Sequence, residues 1–78
     1  MALSRQASRS ARMSSFVLAV ERLYSAQAAE IYRRTAWRAV VLVHTLDARS
    51  CVEDAAQARG LLYRSDTWCG RYRIEIAA

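Results

Sequence analysis

The run Val40-Val41-Leu42-Val43-His44-Thr45-Leu46 limits what this chain can fold into more than any other stretch. Its valines and threonine favour extended backbone, because β-branched side chains pack well on a pleated surface. The run is much shorter than the roughly 20 apolar residues needed to cross a bilayer, and no other stretch predicts a membrane span. Consecutive apolar residues, without alternation, indicate a strand that is covered on both faces. We therefore predict a core strand here.

A helix over residues 15–33 is predicted to cover one face of this strand. Phe16, Val20 and Leu23 recur at roughly helical spacing, and charged side chains occupy the other sides of the predicted helix. The apolar run itself also contains residues at helical spacing. One long helix over residues 15–46, in a mostly α protein, is therefore the alternative.

A second helix is predicted over residues 51–59. Ser50 and Glu53 have the spacing of a capping box, in which each side chain accepts a hydrogen bond from the backbone of the other. Gly60 is suited to the left-handed position that follows a helix. The small residues of this helix would let it approach a sheet closely.

The end of the chain shows the clearest strand pattern. In Arg71-Tyr72-Arg73-Ile74-Glu75-Ile76, apolar and charged residues alternate strictly, which predicts a strand with one wet face. Residues 61–64 could form a third strand in a hairpin with it. The predicted fold is a small α+β domain in the order helix, strand, helix, strand, with a sheet of two or three strands covered by the two helices.

Residues 1–14 are interpreted as a basic leader that precedes a single domain over residues 15–78. The first 15 residues contain three arginines and five serines but no acidic residue. This composition is typical of mitochondrial transit peptides. The plainer interpretation is a flexible basic leader on a cytoplasmic protein, with Met13 as an alternative start.

The net charge of +5 predicts attraction to an acidic protein face, to nucleic acid or to an anionic membrane, without choosing between them. All twelve basic residues are arginine, and asparagine is absent as well. Because lysine and asparagine share AA-starting codons, GC-rich coding DNA explains this bias more simply than selection for phosphate binding does.

Few residues suggest catalysis. His44, Asp47 and Cys51 come from one strand end and one loop, with no glycine-rich oxyanion element beside them. Cys51 and Cys69 are expected to be free thiols, and with one histidine they match no zinc pattern. We therefore expect no enzyme, no cofactor and no metal site.

Six aromatic and basic residues are the candidates for binding a partner, because Trp, Tyr and Arg dominate the binding energy of protein interfaces. They are Trp37, Arg38, Arg64, Trp68, Arg71 and Arg73. The same mixture could stack bases and pair with phosphates on single-stranded nucleic acid. The plainer interpretation of these residues is a solvated surface.

The unit of strand, short loop, capped helix, loop and Ile-Glu-Ile strand resembles small phage-encoded α+β proteins, anti-CRISPR inhibitors among them. The resemblance covers about half of the chain and implies a regulator that binds a larger protein. We predict a non-catalytic interaction module or inhibitor, with an acidic partner or a homodimer formed through an unpaired strand edge. A nucleic-acid-binding regulator and an accessory subunit of a mitochondrial complex are the alternatives.

Overall fold

The computed structural model describes residues 2–23 and 29–78, with side chains for residues 8–23, 29–32 and 34–78. The described residues form two helices and a four-stranded antiparallel sheet, which confirms the predicted α+β class. The elements in chain order are α1 (Ala2–Leu23), β1 (Ala29–Arg34), β2 (Arg38–Val43), α2 (Leu46–Ala58), β3 (Leu62–Trp68) and β4 (Arg71–Ala77).

The apolar run that starts at Val40 contributes its first four residues to β2, in the interior of the sheet. The strand order is β1-β2-β4-β3, and every neighbouring pair is antiparallel. Val41 lies opposite Ile31 of β1 and Ile74 of β4, so β2 is paired along both edges. The strand prediction is confirmed, and the alternative of one long helix over residues 15–46 is wrong.

The predicted helix over residues 15–33 has the wrong bounds. Helix α1 ends at Leu23, residues 24–28 lie outside the described part of the chain, and residues 29–34 form β1. Within α1 the buried side chains of Met13, Phe16 and Val20 follow the helical period. Ile31 continues that period by coincidence, whereas its β-branched side chain is used in the sheet. The sheet consequently has four strands, not two or three.

Helix α2 begins five residues earlier than predicted. Thr45 is its N-cap, and the Thr45 hydroxyl accepts a hydrogen bond from the Ala48 N–H at 3.1 Å. Ser50 is inside the helix, so the predicted capping box at Ser50 is wrong. The end of the helix is as predicted, because Gly60 has a φ of +69° and its N–H bonds to the Gln57 carbonyl.

Both helices lie on the same face of the sheet. Their buried side chains share one apolar cluster with the inward residues of β2 and β4. Its largest fully buried members are Phe16, Met13, Ile74, Ile76, Val20, Val41, Val43 and Val52. The expectation that the helices would cover both faces of the core strand is therefore not met. In the described part of the chain, the opposite face carries no helix.

The hairpin between β3 and β4 turns through Cys69 and Gly70, and both residues have positive φ, +50° and +75°. Positive φ at both central positions is the geometry of a type I′ turn, whose twist matches that of the strands. Glycine adopts this backbone freely, but cysteine has a Cβ that crowds the left-handed region. Cys69 is thus a point of local backbone strain.

Replacing Cys69 with asparagine should stabilise the protein, because asparagine tolerates the left-handed backbone through local hydrogen bonding. We expect Cys69→Asn to raise the free energy of unfolding by about 0.5–1 kcal/mol, measured by urea denaturation under reducing conditions. The matched control is Cys51→Asn, at an exposed helical position, which should change stability by less than about 0.5 kcal/mol. An equal response of both variants would contradict the turn geometry.

Candidate functional site

The sheet face turned away from the helices is the candidate site, and we call it the open face. Side chains alternate between the two faces of a strand, so the residues that flank the buried Val41 and Ile74 point to the open face, as do those that flank Ser65, which pairs with Ile74. Its side chains come from all four strands. They include Glu30, Arg38, Val40, Leu42, Leu62, Arg64, Asp66, Arg71, Arg73 and Glu75, together with the aromatic residues Tyr32 and Trp68.

An aromatic pair bridges the open face. Tyr32 and Trp68 belong to the two edge strands, yet their ring centroids are 5.4 Å apart at an interplanar angle of 51°. The pairing of β1 with β2 shifts register between Ile31 and Arg33, which makes Tyr32 the extra residue of a β-bulge. Tilted rings at this separation attract each other. The bulge thus gives Tyr32 a position from which it reaches across two strands.

The open face also carries apolar residues of β2. Val40, together with Arg73 and Glu75, lines a cavity of about 210 Å³ beside the two rings. Leu42 is only 2% exposed although it lies on the open face, and it is not part of the helix-side cluster. The open face therefore has an apolar centre of its own.

Ion pairs surround this centre. Arg73 forms two hydrogen bonds with the carboxylate of Asp66, and its guanidinium lies 5.9 Å from the Trp68 ring centroid. Two further pairs, Arg64 with Glu75 and Arg71 with Glu30, have N–O distances of 2.9 Å. Exposed pairs of this kind contribute little to the stability of the fold, because solvent screens them. Their main effect is to hold the arginine side chains in one arrangement.

The described side chains of the open face are nearly balanced in charge. They comprise four arginines, at positions 38, 64, 71 and 73, and three carboxylates, at positions 30, 66 and 75, which leaves one net positive charge among them. Much of the protein's excess positive charge must therefore lie elsewhere. Arg12, Arg34 and Arg59 donate hydrogen bonds to neutral oxygens around the middle of α1, and none of them forms an ion pair within the described residues.

Five of the six predicted partner-binding residues come together on the open face: Arg38, Arg64, Trp68, Arg71 and Arg73. Trp37 instead lies in the turn between β1 and β2, where it is 47% exposed. A role of these residues in binding stays a prediction. The sequence does not predict a site role for Tyr32, because this residue falls within the predicted helix over residues 15–33. It does not single out Leu42 either, because the residues on both sides of Leu42 are also apolar.

Other candidates for chemistry remain apart from this face. Cys51 and Cys69 are free, exposed thiols, and His44 is exposed. Over residues 2–23 and 29–78, the structure brings together no group of three or more His, Cys, Asp or Glu side chains that could hold a metal ion. Neither of the two described helices is long and apolar enough to cross a membrane.

Comparison with models of known protein families, with curated proteins and with solved structures finds no significant match to this chain. Function therefore has to be inferred from the surfaces themselves.

The strongest electrostatic coupling on the open face joins Arg73 to Asp66. The hydrogen bond from Arg73 holds the pKa of Asp66 below its ordinary value of 3.8, and the positive charges of Arg73 and Arg64 lower it further. In return, the pKa of Arg73 is raised above its ordinary value. A carboxyl with a lowered pKa stabilises the folded state above its unfolded pKa, and this contribution is lost as the pH falls through the folded pKa.

Removing the charge of Arg73 should remove the main cause of the lowered Asp66 pKa. We expect Arg73→Gln to raise the pKa of Asp66 towards 3.8, measured by NMR titration of the side-chain carboxyl carbon. The stability advantage of the unmodified protein over this variant should be present at pH 7 and disappear as the pH falls through the lowered pKa. Arg38→Gln, on the same face, should leave the titration unchanged. An Asp66 pKa that does not respond to Arg73→Gln would contradict the pairing.

Proposed function

We propose that this protein is a small non-catalytic interaction module that docks its open face on a larger protein. The observation that supports this most directly is the Tyr32–Trp68 bridge over an apolar centre, on a sheet face without a covering helix in the described residues. Aromatic residues and arginine are enriched among the residues that dominate protein–protein binding energy.

The arrangement of charges also favours binding over catalysis. Each carboxylate of the open face is already paired with an arginine. An apolar centre within a ring of ordered polar groups has the general anatomy of a protein interface. Because their partners hold the arginine side chains in place, they lose little conformational freedom when a second surface binds.

The partner that fits best has an apolar or aromatic anchor and an acidic surface around it. The anchor would contact the rings of Tyr32 and Trp68. Arg38 is the open-face arginine without a carboxylate partner among the described residues, and it would pair with an acidic group at the rim. The net charge of +5 would speed encounter with such a surface. A regulator or inhibitor of a larger protein, as the sequence resemblance implies, would use a surface of this type.

A nucleic-acid-binding regulator is the second candidate, and it would use a different surface. Arg12, Arg34 and Arg59 are not neutralised by carboxylates within the described residues, so phosphates would bind beside α1. An accessory subunit of a mitochondrial complex stays a further alternative, motivated by the basic composition of residues 1–15.

Substitutions at the centre of the open face should weaken partner binding. The tagged full-length chain would be cross-linked in its native cells and the captured proteins quantified by mass spectrometry. The main captured partner would then be purified and titrated by calorimetry. We expect Trp68→Ala and Arg73→Ala to weaken its affinity at least tenfold, because both remove contacts at the centre of the face. The matched control is Leu18→Ala, an apolar residue of α1 that is 50% exposed on the helix side.

The opposite pattern would overturn the proposal. If Leu18→Ala or Arg59→Ala weakens the purified complex and Trp68→Ala does not, the helix side is the binding surface. The nucleic-acid alternative predicts that the protein binds labelled oligonucleotides at 50 mM salt. This binding should fall steeply with added salt and should be lost in Arg12→Ala/Arg59→Ala but kept in Trp68→Ala.

A further inference from the structure

The two edges of the sheet differ in how they are protected against pairing with another strand. β1 contains a bulge at Tyr32 and ends in two consecutive arginines, Arg33 and Arg34. Bulges and charges are the usual devices that block edge pairing. β3 pairs with β4 in continuous register from Leu62 to Trp68, without a bulge or a proline. β3 carries only Arg64 and Asp66, which have opposite charges, and is therefore the less protected edge.

The hairpin geometry fixes which backbone groups of β3 point outward. A two-residue turn at Cys69 and Gly70 makes Trp68 and Arg71 a hydrogen-bonded pair, and such pairs alternate along an antiparallel ladder. The N–H and C=O groups of Tyr63, Ser65 and Thr67 consequently point away from β4. The described hydrogen bonds give these outward groups no backbone partner.

From this edge we infer that the protein forms a two-fold symmetric homodimer, in which β3 pairs antiparallel with β3 of a second copy and Ser65 lies at the two-fold axis. The outward groups of Ser65 then bond to those of Ser65 in the second copy. Tyr63 and Thr67 bond to each other across the axis in the same way. This register uses every outward amide and carbonyl of the strand centre.

The side chains complement one another in the same register. Arg64 lies directly opposite Asp66 of the second copy, so each dimer gains two cross-strand pairs of opposite charge. Inside each chain, Arg64 is already paired with Glu75 and Asp66 with Arg73. The signs therefore alternate across the interface. Leu62, which is 74% exposed, lies opposite Trp68 of the second copy and loses exposed apolar area.

Other registers are less favourable. With the two-fold axis at Arg64 or Asp66, two side chains of the same charge lie opposite each other. The backbone groups that face each other at the axis are then already hydrogen-bonded to β4, so they cannot pair across the interface. Placing the axis at Tyr63 or Thr67 sets a charged side chain against Leu62 or Trp68. On the helix side, Glu53 comes near the axis in the Ser65 register. Its carboxylate accepts a hydrogen bond from Ser65 and lies 3.8 Å from Arg49, which offsets its charge.

The dimer would also enlarge the open face. A four-stranded sheet of six- to seven-residue strands presents on the order of 400 Å² per face. A standard protein interface uses about 800 Å² per partner. Pairing through β3 joins two open faces into one eight-stranded surface of about that size, with all four helices on the other side. The proposed dimer is independent of the proposed docking function, because it is tested on the purified protein without a partner.

Disulfide cross-linking tests both the dimer and its register. In a full-length Cys51→Ser/Cys69→Ser background, Ser65→Cys should form a covalent dimer under mild oxidation, because paired residues in an antiparallel ladder have Cα atoms about 5.5 Å apart. Tyr63→Cys alone and Thr67→Cys alone should form no covalent dimer, since each cysteine is about four residues along the strand from its symmetry mate. When the Tyr63→Cys and Thr67→Cys variants are mixed, a covalent dimer between one chain of each should form, because these two positions lie opposite each other. Analytical ultracentrifugation of the unmodified chain should show the mass of two chains.

A charge reversal gives a second, independent measurement. Arg64→Glu sets two carboxylates opposite each other at both ends of the symmetric interface, so it should raise the dimer dissociation constant at least tenfold. Arg38→Glu, on β2 and separated from β3 by β4, should have little effect, and circular dichroism would confirm that both variants are folded. Two results together would overturn the inference: the unmodified chain sediments as a monomer at 200 μM, and the Ser65→Cys variant forms no covalent dimer. Equal cross-linking of all three single variants would overturn the register.

Discussion

The structure depends on the position of β2, which is hydrogen-bonded along both edges and buried on both faces. β1 and β4 pair with its two edges. Val41 and Val43 belong to the helix-side cluster. On the other side, Leu42 is buried as well, and Val40 lines the cavity beside the Tyr32 and Trp68 rings. Because a small protein has little apolar surface to bury, a strand that contributes both faces to apolar clusters has a large share in its stability. The two faces differ in kind: two helices cover the helix-side cluster, whereas no helix within the described residues covers the open face.

This difference separates the molecule into two surfaces with different electrostatics. On the open face, the arginines at positions 64, 71 and 73 are paired with carboxylates, so the described groups there are ordered and carry little net charge. On the helix side, Arg12, Arg34 and Arg59 donate hydrogen bonds to neutral oxygens and form no ion pair with a described carboxylate. The positive charges of the helix side attract an acidic partner over long distances. The short-range complementarity of the open face then determines which surface of the protein the partner contacts. Sequence charge alone does not distinguish these roles.

Patterns with a local physical cause were sufficient to predict much of the fold. The β-branched run at Val40, the alternation from Arg71 to Ile76 and the glycine after α2 all appear where they were expected. The errors arose where two local patterns compete. Thr45 and Ser50 both resemble N-caps, and the choice depends on tertiary contacts, since Glu53 accepts from Ser65 of β3 and does not complete a capping box. Ile31 fits the helical period of α1 as well as a strand, and only its pairing with Val41 decides between them. The Tyr32–Trp68 bridge joins residues far apart in the chain, so sequence spacing gave no sign of it.

The most direct test of this account is a nuclear Overhauser measurement between the rings of Tyr32 and Trp68. These rings come from opposite edges of the sheet and meet only if β1 pairs with β2, β3 lies at the far edge, and both side chains lie on the face away from the helices. At a centroid separation of 5.4 Å we expect clear cross-peaks between the Tyr32 ring protons and the Trp68 indole protons. An indole without cross-peaks to Tyr32, together with helical backbone contacts over residues 29–34, would contradict both the sheet and the open face.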